Sequence, residues 1–435
     1  TQIVAVGDRA QLTSIEAGGM WRTWADRAEQ AGELAVLAEN RRAWDPQDAR
    51  AWDAIRRGAG VEAVKHYHAK GQVVITQSPE GAKDRAVAAW ITDPRDAILV
   101  AESNRDLDAL NRLAQTRRLE AHQALTKVRD GQSPAEVVEA MGLNPDTLAG
   151  WIAAEAEQPG SVALDPTPVQ TTRDGKVQLV PMASVTVTAH DGPDYQRTET
   201  LRIGDRVECQ QTTYVPALDT HGKAGADRRV SNGERGTIVG IHALGKGVRP
   251  KAGQTEAQAK QDAALLVVSF GTKTVVFGPD HRDRLRLGYA VSAYKSQGRT
   301  VDRVHVVTGT WQGDQRNAYV EMSRARKASY VYADMSSLEV DHGSLTAEQD
   351  ALTALATRWQ VFTPELTATE AVEQERARAA ASVDRSTATP TADAGHDTAT
   401  SQEATPELTP AQRHEREAQQ RAQAQDLGRT LERAA

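Results

Sequence analysis

The sequence is poor in the residues that make cross-links and large aromatic cores. Its 435 residues include one cysteine, Cys209, and only three phenylalanines. A single cysteine excludes an internal disulfide framework and a cysteine-rich zinc site, and it favours a reducing, cytoplasmic compartment. No apolar run approaches the roughly 20 residues that span a bilayer, and no signal peptide opens the chain. Length and composition, with 39% hydrophobic residues, predict a soluble protein of two to four domains.

Two short phosphate-chemistry motifs are also missing. The sequence contains no Gly-Lys-Ser/Thr and therefore no Walker A loop, and it contains no adjacent Asp-Glu pair to hold Mg²⁺. Thr1 is not an initiator methionine, and the apolar run Ile3–Val6 is typical of a buried strand. These features favour a fragment that begins inside a fold.

The negative charge is concentrated at one end of the chain. The formal net charge is −7, and residues 340–435 carry 16 acidic against 9 basic residues. The remaining 339 residues therefore hold 43 charges of each sign and are neutral. Because the excess lies in the tail, the net charge does not exclude a nucleic-acid partner.

Two stretches near the middle of the chain are rich in polar side chains that suit ligands. Leu287–Asp302 places a group of Ser, Tyr, Lys and Gln before Gly298, which allows close approach of backbone to a ligand. Ala318–Lys327 predicts a helix that carries Arg324 and Arg326. Taken alone, the first stretch favours a turn at a sheet edge and the second a helix with solvated arginines, since short motifs often match by chance.

Two further stretches complete an ordered set. These are Thr1–Leu12, with Gly7-Asp8, and Leu37–Arg42. In this order the four stretches resemble motifs III, IV, V and VI of RecD-like superfamily 1 DNA helicases. The resemblance is strongest to the helicase region of MobF-type conjugative relaxases (TraA/TrwC type), and it covers roughly residues 1–335 with gaps. In that family the phosphate loop and the Mg²⁺ carboxylates precede the first of these motifs.

The resemblance implies a nucleotide site for ATP and Mg²⁺. It assigns Gln11 as a γ-phosphate sensor and Arg42 and Arg324 as arginines that reach the γ-phosphate. Further nucleotide contacts are expected from Gly7, Asp8, Gln297, Gly298 and Thr300. Without the resemblance, a helix-capping role would be the simpler interpretation of Gln11. The sequence predicts no metal-binding residues of its own, because His66 and His68 have no third ligand nearby.

The same resemblance implies a site for single-stranded DNA. Its predicted residues are Asn104, Ser292, Tyr294 and Lys295. Relatives commonly have His at the position of Tyr294 and Gln at that of Ala43. A tyrosine can still stack on a base.

The predicted fold class is α/β, a RecA-like P-loop NTPase motor with an inserted SH3-like β-barrel. The domains expected are residues 1–45 (end of the first RecA-like domain), 46–119 with 281–339 (second RecA-like domain), 120–160 (helical hairpin), 161–280 (barrel) and 340–435 (acidic, largely disordered tail). Strands are predicted at Ile3–Val6, Leu34–Leu37, Val73–Ile75, Ala97–Val100 and Val304–Val307, and helices at 47–70, 80–92 and 105–119. Leu285–Val291 is expected to return to the motor sheet, and Asn232-Gly233 to turn a hairpin.

Two features of the sequence admit more than one interpretation. Residues 133–152 have helix-turn-helix spacing, with Gly142 in the turn and Asn144 as a cap, but the second helix has no basic residue for a DNA groove. A structural hairpin is therefore the preferred interpretation. The basic residues of helix 105–119 (Arg105, Arg112, Arg117 and Arg118), and Lys246 and Lys251 in the loops, could contact phosphate or simply be solvated.

The function predicted from the whole is the ATP-dependent helicase or translocase segment of a conjugative relaxase. It would couple ATP hydrolysis to movement on single-stranded DNA in the bacterial cytoplasm and would itself be inactive without the missing motifs. Plasmid DNA and the relaxosome and secretion-coupling proteins are partners by family analogy. The alternatives are a non-catalytic DNA-binding or scaffold remnant and a fragment of a RecD-like repair helicase.

Overall fold

A computed structural model describes residues 4–12, 20–36, 40–165, 179–190, 195–218, 224–244, 250, 253–309, 313–340 and 347–362. All of them belong to one compact unit, residues 1–370. The described residues include neither the predicted tail beyond residue 362 nor Lys246 and Lys251.

The described chain contains eleven α-helices and fifteen strands. The helices are α1 (Met20–Gln30), α2 (Pro46–Arg56), α3 (Gly60–Ala69), α4 (Pro79–Thr92), α5 (Asn104–Arg129), α6 (Pro134–Met141), α7 (Pro145–Glu157), α8 (Glu256–Asp262), α9 (Ala293–Ser296), α10 (Gln315–Met322) and α11 (Ala347–Arg358). The strands are β1 (Val73–Thr76), β2 (Ala97–Ala101), β3 (Leu179–Pro181), β4 (Ser184–His190), β5 (Gln196–Arg202), β6 (Arg206–Cys209), β7 (Thr213–Leu218), β8 (Ala224–Val230), β9 (Arg235–Leu244), β10 (Leu265–Ser269), β11 (Thr274–Phe277), β12 (Leu285–Leu287), β13 (Ala290–Ser292), β14 (Val301–Val307) and β15 (Ala325–Asp334). None of the described helices is both long and apolar enough to cross a membrane.

The first sheet is parallel throughout. Its order is β1-β15-β14-β2-β13, and every neighbouring pair runs parallel. All five residues of β2 are buried, as expected of a central strand covered by helices on both faces. At the carboxyl ends of β2 and β14, Thr308 Oγ1 donates to Glu102 Oε1 at 2.6 Å. This end of the strands is the usual place for a ligand in an open α/β sheet. The predicted α/β class is confirmed by this topology.

Local sequence signals explain where the helices around this sheet begin. Ser78 and Ser103 cap α4 and α5 by accepting hydrogen bonds from the backbone N–H groups of Gly81 and Asp106. The single helix predicted over 47–70 is instead two, α2 and α3. The break falls at Gly58, which has φ +75°, a conformation that stops the first helix.

The helical hairpin at 133–152 is present as α6 and α7. Gly142 ends α6 with φ +63°, and Asn144 caps α7 through the backbone N–H of Asp146. Leu148 and Trp151 on α7 are 1% exposed. The hairpin therefore buries its apolar face, which supports a structural role.

The second sheet is antiparallel and forms the insertion. Its strand order is β12-β6-β9-β10-β11-β7-β8, with β3 also paired to β9, while β4 and β5 form a separate two-stranded ribbon. The ribbon alternates buried and exposed residues, the pattern of strands with one packed face. Leu265–Ser269 and Thr274–Phe277 pair as an antiparallel hairpin.

Several local predictions were wrong. Val4–Val6 and Glu33–Val36 form no strand, and Val4, Val6 and Val36 are at least 60% exposed, because no described strand lies beside them. The Asn232-Gly233 turn joins β8 to β9, but these strands pair with other partners. Leu285–Leu287 pairs with β6, so the insertion's sheet continues past residue 280. The chain first rejoins the parallel sheet at β13.

The helix expected to carry both arginines is also shorter than predicted. It ends at Met322, so Arg324 lies in the following turn and Arg326 on β15. Arg326 makes ion pairs with Asp96 and Asp302. These contacts tie Arg326 to the amino-terminal ends of the central strands β2 and β14, where it has a structural role.

Candidate nucleotide and DNA site

Asp8 organises the first part of the site. One carboxylate oxygen accepts a hydrogen bond from the backbone N–H of Ala10 at 3.0 Å, which forms the turn after Gly7. The other accepts from the Tyr319 hydroxyl at 3.0 Å and from Gln11 Nε2 at 3.3 Å. Asp8 therefore links the start of the chain to α10.

Gln297 makes a second link to the same turn. It follows the short helix α9, which Ser292 caps, and it precedes Gly298, whose φ is +81°. Its Nε2 donates to Gln11 Oε1 at 3.1 Å and to the Leu12 carbonyl at 3.3 Å. The predicted sensor Gln11 is thus held between Asp8 and Gln297.

Two arginines lie beside these groups. Arg324 is 1% exposed, and its guanidinium donates to the Val320 carbonyl at 2.6 Å and to Ser323 Oγ at 2.8 Å. Arg42 Nη1 donates to the Ser323 carbonyl at 2.6 Å. Among the described residues neither arginine forms a salt bridge with a carboxylate.

The electrostatics of this pair favour a bound anion. Burial, and then the positive charge of Arg42, lower the pKa of Arg324 to about 10. Tyr319 and Asp8 act in the opposite direction on the same group. A buried guanidinium without a carboxylate partner is costly, and a phosphate group is the kind of anion that satisfies its donors bidentately.

Six residues therefore form one connected group, here called the arginine cluster. They are Asp8, Gln11, Arg42, Gln297, Tyr319 and Arg324. Five of them were predicted as nucleotide contacts, and Tyr319 was missed. Three other predicted contacts, Gly7, Gly298 and Thr300, are exposed, and no side-chain hydrogen bond joins Thr300 to the cluster in the described part of the chain.

The predicted DNA residues lie at the ends of two adjacent parallel strands. Ser292 ends β13 and pairs with Ala101 of β2, and Asn104 begins the helix after β2. Tyr294, on α9, is 39% exposed. These positions share one edge of the sheet, but the side chains of Asn104 and Lys295 are also used within the protein.

Those internal contacts come from the insertion and from the strand that leaves it. Arg286 Nη1 donates to Asn104 Oδ1 at 3.3 Å. Lys295 Nζ donates to Glu208 Oε1 at 2.5 Å and to Gln210 Oε1 at 2.8 Å. Nothing in the sequence around Glu208 or Gln210 indicates this contact, because the two segments are more than 80 residues apart.

Arg118 of α5 fits neither of the two interpretations offered for it, contact with phosphate or exposure to solvent. Arg118 is 3% exposed and donates to backbone carbonyls, including that of Val162 at 3.0 Å, and to the Tyr289 hydroxyl at 3.1 Å. Arg117 pairs with Asp84 and Glu120. Arg118 therefore fixes the polypeptide after α7 and is available to neither solvent nor DNA.

Comparison with known proteins gives the following matches. A family described as an AAA domain matches residues 1–78. The probable conjugal transfer protein TraA of Sinorhizobium fredii is 30% identical over 125 residues, covering 27% of this chain and 11% of that protein. The conjugal transfer protein TraA of Agrobacterium fabrum is 31% identical over 122 residues, with the same two coverages.

These matches confirm the predicted resemblance to TraA-type proteins. They support an AAA-type segment in this chain, and they span only about a tenth of each relative's length. Among solved structures, Pif1 helicases on forked double-stranded DNA align over 79% of this chain and 54% of theirs, at 13% identity and a TM-score of 0.31. Bacteroides Pif1 with ADP-AlF3 and single-stranded DNA aligns over 79% and 56%, at 12% identity and a TM-score of 0.27. Such low scores add nothing to the fold assignment, which rests on the sheet topology.

Proposed function

We propose that this chain supplies the nucleotide-sensing and single-stranded DNA-contacting parts of an ATP-dependent DNA helicase that acts in conjugal transfer. The observation that carries the proposal is the arginine cluster. It brings together residues from four stretches that are separated by up to about 300 positions, and its two arginines have no carboxylate partner among the described residues. A shared phosphate ligand is the function that we infer for these four stretches, because it supplies the anion that the two arginines lack.

In this proposal the cluster responds to the terminal phosphate of ATP. Arg42 and Arg324 neutralise the charge of the phosphoryl group, as arginines supplied to a transferring phosphate do. Gln11, held by Gln297, senses whether that phosphate is present. Because Gln297 follows α9 directly, a change at Gln11 reaches the segment that carries Tyr294 and Lys295.

No metal chemistry is assigned to residues of this chain. Among the described residues no group of three or more acidic, histidine or cysteine side chains could hold a metal ion. Magnesium accompanies ATP in this class of enzyme, and the proposal makes no use of a protein ligand for it. The groups that act here are the guanidiniums and amides described above.

The test measures ATP hydrolysis and DNA binding on the purified 435-residue chain. Hydrolysis is followed with and without single-stranded DNA, and binding of a labelled oligothymidine is followed by fluorescence polarisation. Binding that weakens with salt is expected, since phosphate contacts release counterions. A chain that neither binds the strand nor hydrolyses ATP contradicts the proposal.

A second candidate is a DNA-binding module without turnover. The lack of a Gly-Lys-Ser/Thr motif in these 435 residues favours it. The same assay separates the two candidates when a labelled ATP analogue is added. Strand binding that is insensitive to the analogue supports the module, and strand affinity that changes with the analogue supports the helicase proposal.

A further inference from the structure

Glu208 on β6 gathers three basic side chains at the junction between the insertion and the α9 segment. Its carboxylate accepts from Arg235 Nε at 3.1 Å and from Lys295 Nζ at 2.5 Å, and Arg299 Nη2 lies 4.0 Å away. Arg235 is directly opposite Glu208 in the β6–β9 pairing. Arg299 also donates through Nε to the Lys295 carbonyl at 2.9 Å. These four residues are here called the Glu208 cluster.

The cluster holds more positive than negative charge. Burial would raise the pKa of Glu208, but the charges of Arg235 and Lys295 hold it below its usual value. One carboxylate therefore faces three cations, an excess of two positive charges. Gln210, another polar neighbour, is neutral and accepts from Lys295 at 2.8 Å.

The cations also have donors to spare and access to solvent. Arg235 Nη2 is buried and has no hydrogen-bond partner. Burial, and then the charge of Arg299, lower the pKa of Arg235, as expected where negative charge is lacking. The side chains of Arg235, Lys295 and Arg299 are 26%, 31% and 31% exposed, whereas that of Glu208 is 5% exposed. The exposed parts of the three cationic side chains are thus open to an anion from outside, while Glu208 and the Arg235 Nη2 donor lie beneath them.

We propose that Arg235, Lys295 and Arg299 bind one phosphodiester group of single-stranded DNA, with Glu208 as the positioning residue that fixes the three cations. The proposal rests on the proposed function and extends the DNA site onto the insertion. A nucleic-acid backbone fits better than free phosphate, because Tyr294 on the same short helix is 39% exposed beside Lys295 and can stack on a base. The insertion then acts as a second wall of the strand's path.

The test compares oligothymidine binding by the full chain with that of Arg235→Ala/Arg299→Ala over a range of salt concentrations. We expect at least a tenfold loss of affinity, which corresponds to about 1.4 kcal/mol, since the variant removes two guanidiniums that donate charge-assisted hydrogen bonds to the phosphate. We also expect the slope of log K against log salt to become shallower by about 0.7, the value for one phosphate contact on a single strand. The double replacement Arg235→Lys/Arg299→Lys should restore most of the slope.

Two further variants separate a binding role from a structural one. Lys65→Ala removes one charge from the exposed face of α3 and should leave the slope unchanged. Glu208→Gln keeps an acceptor oxygen of the same shape, so it should hold the cations in place, raise the excess charge of the cluster and strengthen strand binding. Glu208→Ala removes the acceptor, leaves the cations unpositioned and should weaken strand binding. Weaker strand binding by Glu208→Gln, with folding intact by circular dichroism, contradicts the assigned geometry.

The outcomes distinguish failure of this inference from failure of the proposed function. If the unmodified chain binds the strand and the double alanine variant binds it with the same slope, the phosphate site is wrong and the proposed function stands. If the unmodified chain does not bind the strand, the proposed function fails first. If pyrophosphate displaces the strand only from a chain with intact Arg235 and Arg299, the cluster is a phosphate site. If the cluster binds pyrophosphate but the chain does not bind the strand, the ligand is a free phosphate and the DNA assignment is overturned.

Discussion

Buried arginines serve different purposes in the two halves of this molecule. At the base of the insertion, Arg286 is paired with Asp108, and Arg197 is paired with Glu199, with side chains that are 6% exposed or less. In the arginine cluster, Arg324 is equally buried but has only neutral oxygens as hydrogen-bond acceptors. The first arrangement is complete in itself, whereas the second has charge left for an anion.

The difference helps to tell a structural arginine from a ligand-binding one when the hydrogen bonds of the guanidinium are also counted. Arg118 has no carboxylate partner either, but its donors go to four backbone carbonyls and the Tyr289 hydroxyl. Arg324 makes only three such bonds. A carboxylate partner offsets the cost of burying a guanidinium and fixes its position, so removing either partner leaves an unpaired buried charge. An arginine held only by neutral backbone and hydroxyl oxygens keeps its full charge, and a phosphate can share those donors. Removal of a paired arginine's partner should therefore lower stability, and removal of Arg324 should mainly lower nucleotide affinity.

The largest effect is expected from breaking a structural pair. Asp108→Ala removes the partner of Arg286, whose Nη2 and Nε both donate to the same Asp108 oxygen, and also the acceptor of the Tyr195 hydroxyl. We expect the free energy of unfolding to fall by about 3–5 kcal/mol, because Arg286 is left buried and unpaired. Urea unfolding followed by circular dichroism measures the change.

An exposed pair provides the control for that measurement. Asp53 and Arg57 form a salt bridge with side chains that are 56% and 57% exposed. Asp53→Ala should cost less than about 1 kcal/mol, since water and salt screen such pairs. Equal losses from the two variants would remove the distinction between buried and exposed pairs in this protein.

A smaller effect, on binding, is expected at the arginine cluster. Arg324→Ala removes a guanidinium proposed to contact phosphate, so affinity for a labelled ATP analogue should fall about 10- to 100-fold, which corresponds to about 1.5–3 kcal/mol. Affinity for single-stranded DNA should stay within about twofold of the unmodified chain, since Arg324 contacts the Glu208 cluster only through the Arg299 backbone carbonyl, at 3.5 Å, and none of its side chains. Fluorescence polarisation with each ligand gives both numbers.

Arg326→Ala is the matched control, two residues further along the chain. Its guanidinium is already paired with Asp302 and Asp96. Nucleotide affinity should change little in this variant. A loss as large as that of Arg324→Ala would show that the segment as a whole, and not the unpaired guanidinium, supports nucleotide binding.

The smallest effect is a pH dependence at the base of the insertion. Asp205 is fully buried, and burial raises its pKa to about 6 although Tyr289 and Gln115 donate to it. Because the folded pKa exceeds the unfolded one, the contribution of Asp205 to stability is present at low pH and is lost as the pH rises through 6. We expect the free energy of unfolding of the unmodified chain, relative to that of Asp205→Asn, to fall by about 2 kcal/mol between pH 4.5 and 7.

Urea unfolding of both proteins at several pH values measures this change. Asp53→Asn, at an exposed site, supplies the baseline for replacing an aspartate by asparagine. An advantage that is constant or rises over this range would contradict the raised pKa. Such a result would mean that Tyr289, Gln115 and the Arg202 backbone N–H hold the carboxylate ionised.

Short-range signals in the sequence determined most of the local structure. Ser78, Ser103 and Asn144 cap α4, α5 and α7, and these helices begin close to the positions that the sequence predicts. The apolar runs of β1, β2 and β14 are strands, as predicted. The resemblance of the four motif stretches to a helicase family predicted five residues that the structure brings together in the arginine cluster, and their role in nucleotide binding stays a prediction. Each of these signals acts within a few residues or was read from side chains in a fixed order.

The tertiary structure alone decided which strands pair and which charges meet. Val4–Val6 is apolar and extended in pattern, yet a strand needs a neighbour to bond its backbone, and the described chain provides none. The Asn232-Gly233 turn was recognisable, but the partners of the strands around it are set by packing far along the chain. The pairings of Tyr319 with Asp8 and of Lys295 with Glu208 span 311 and 87 positions. Contacts over such separations depend on how the sheets assemble, and no local pattern of residues records them.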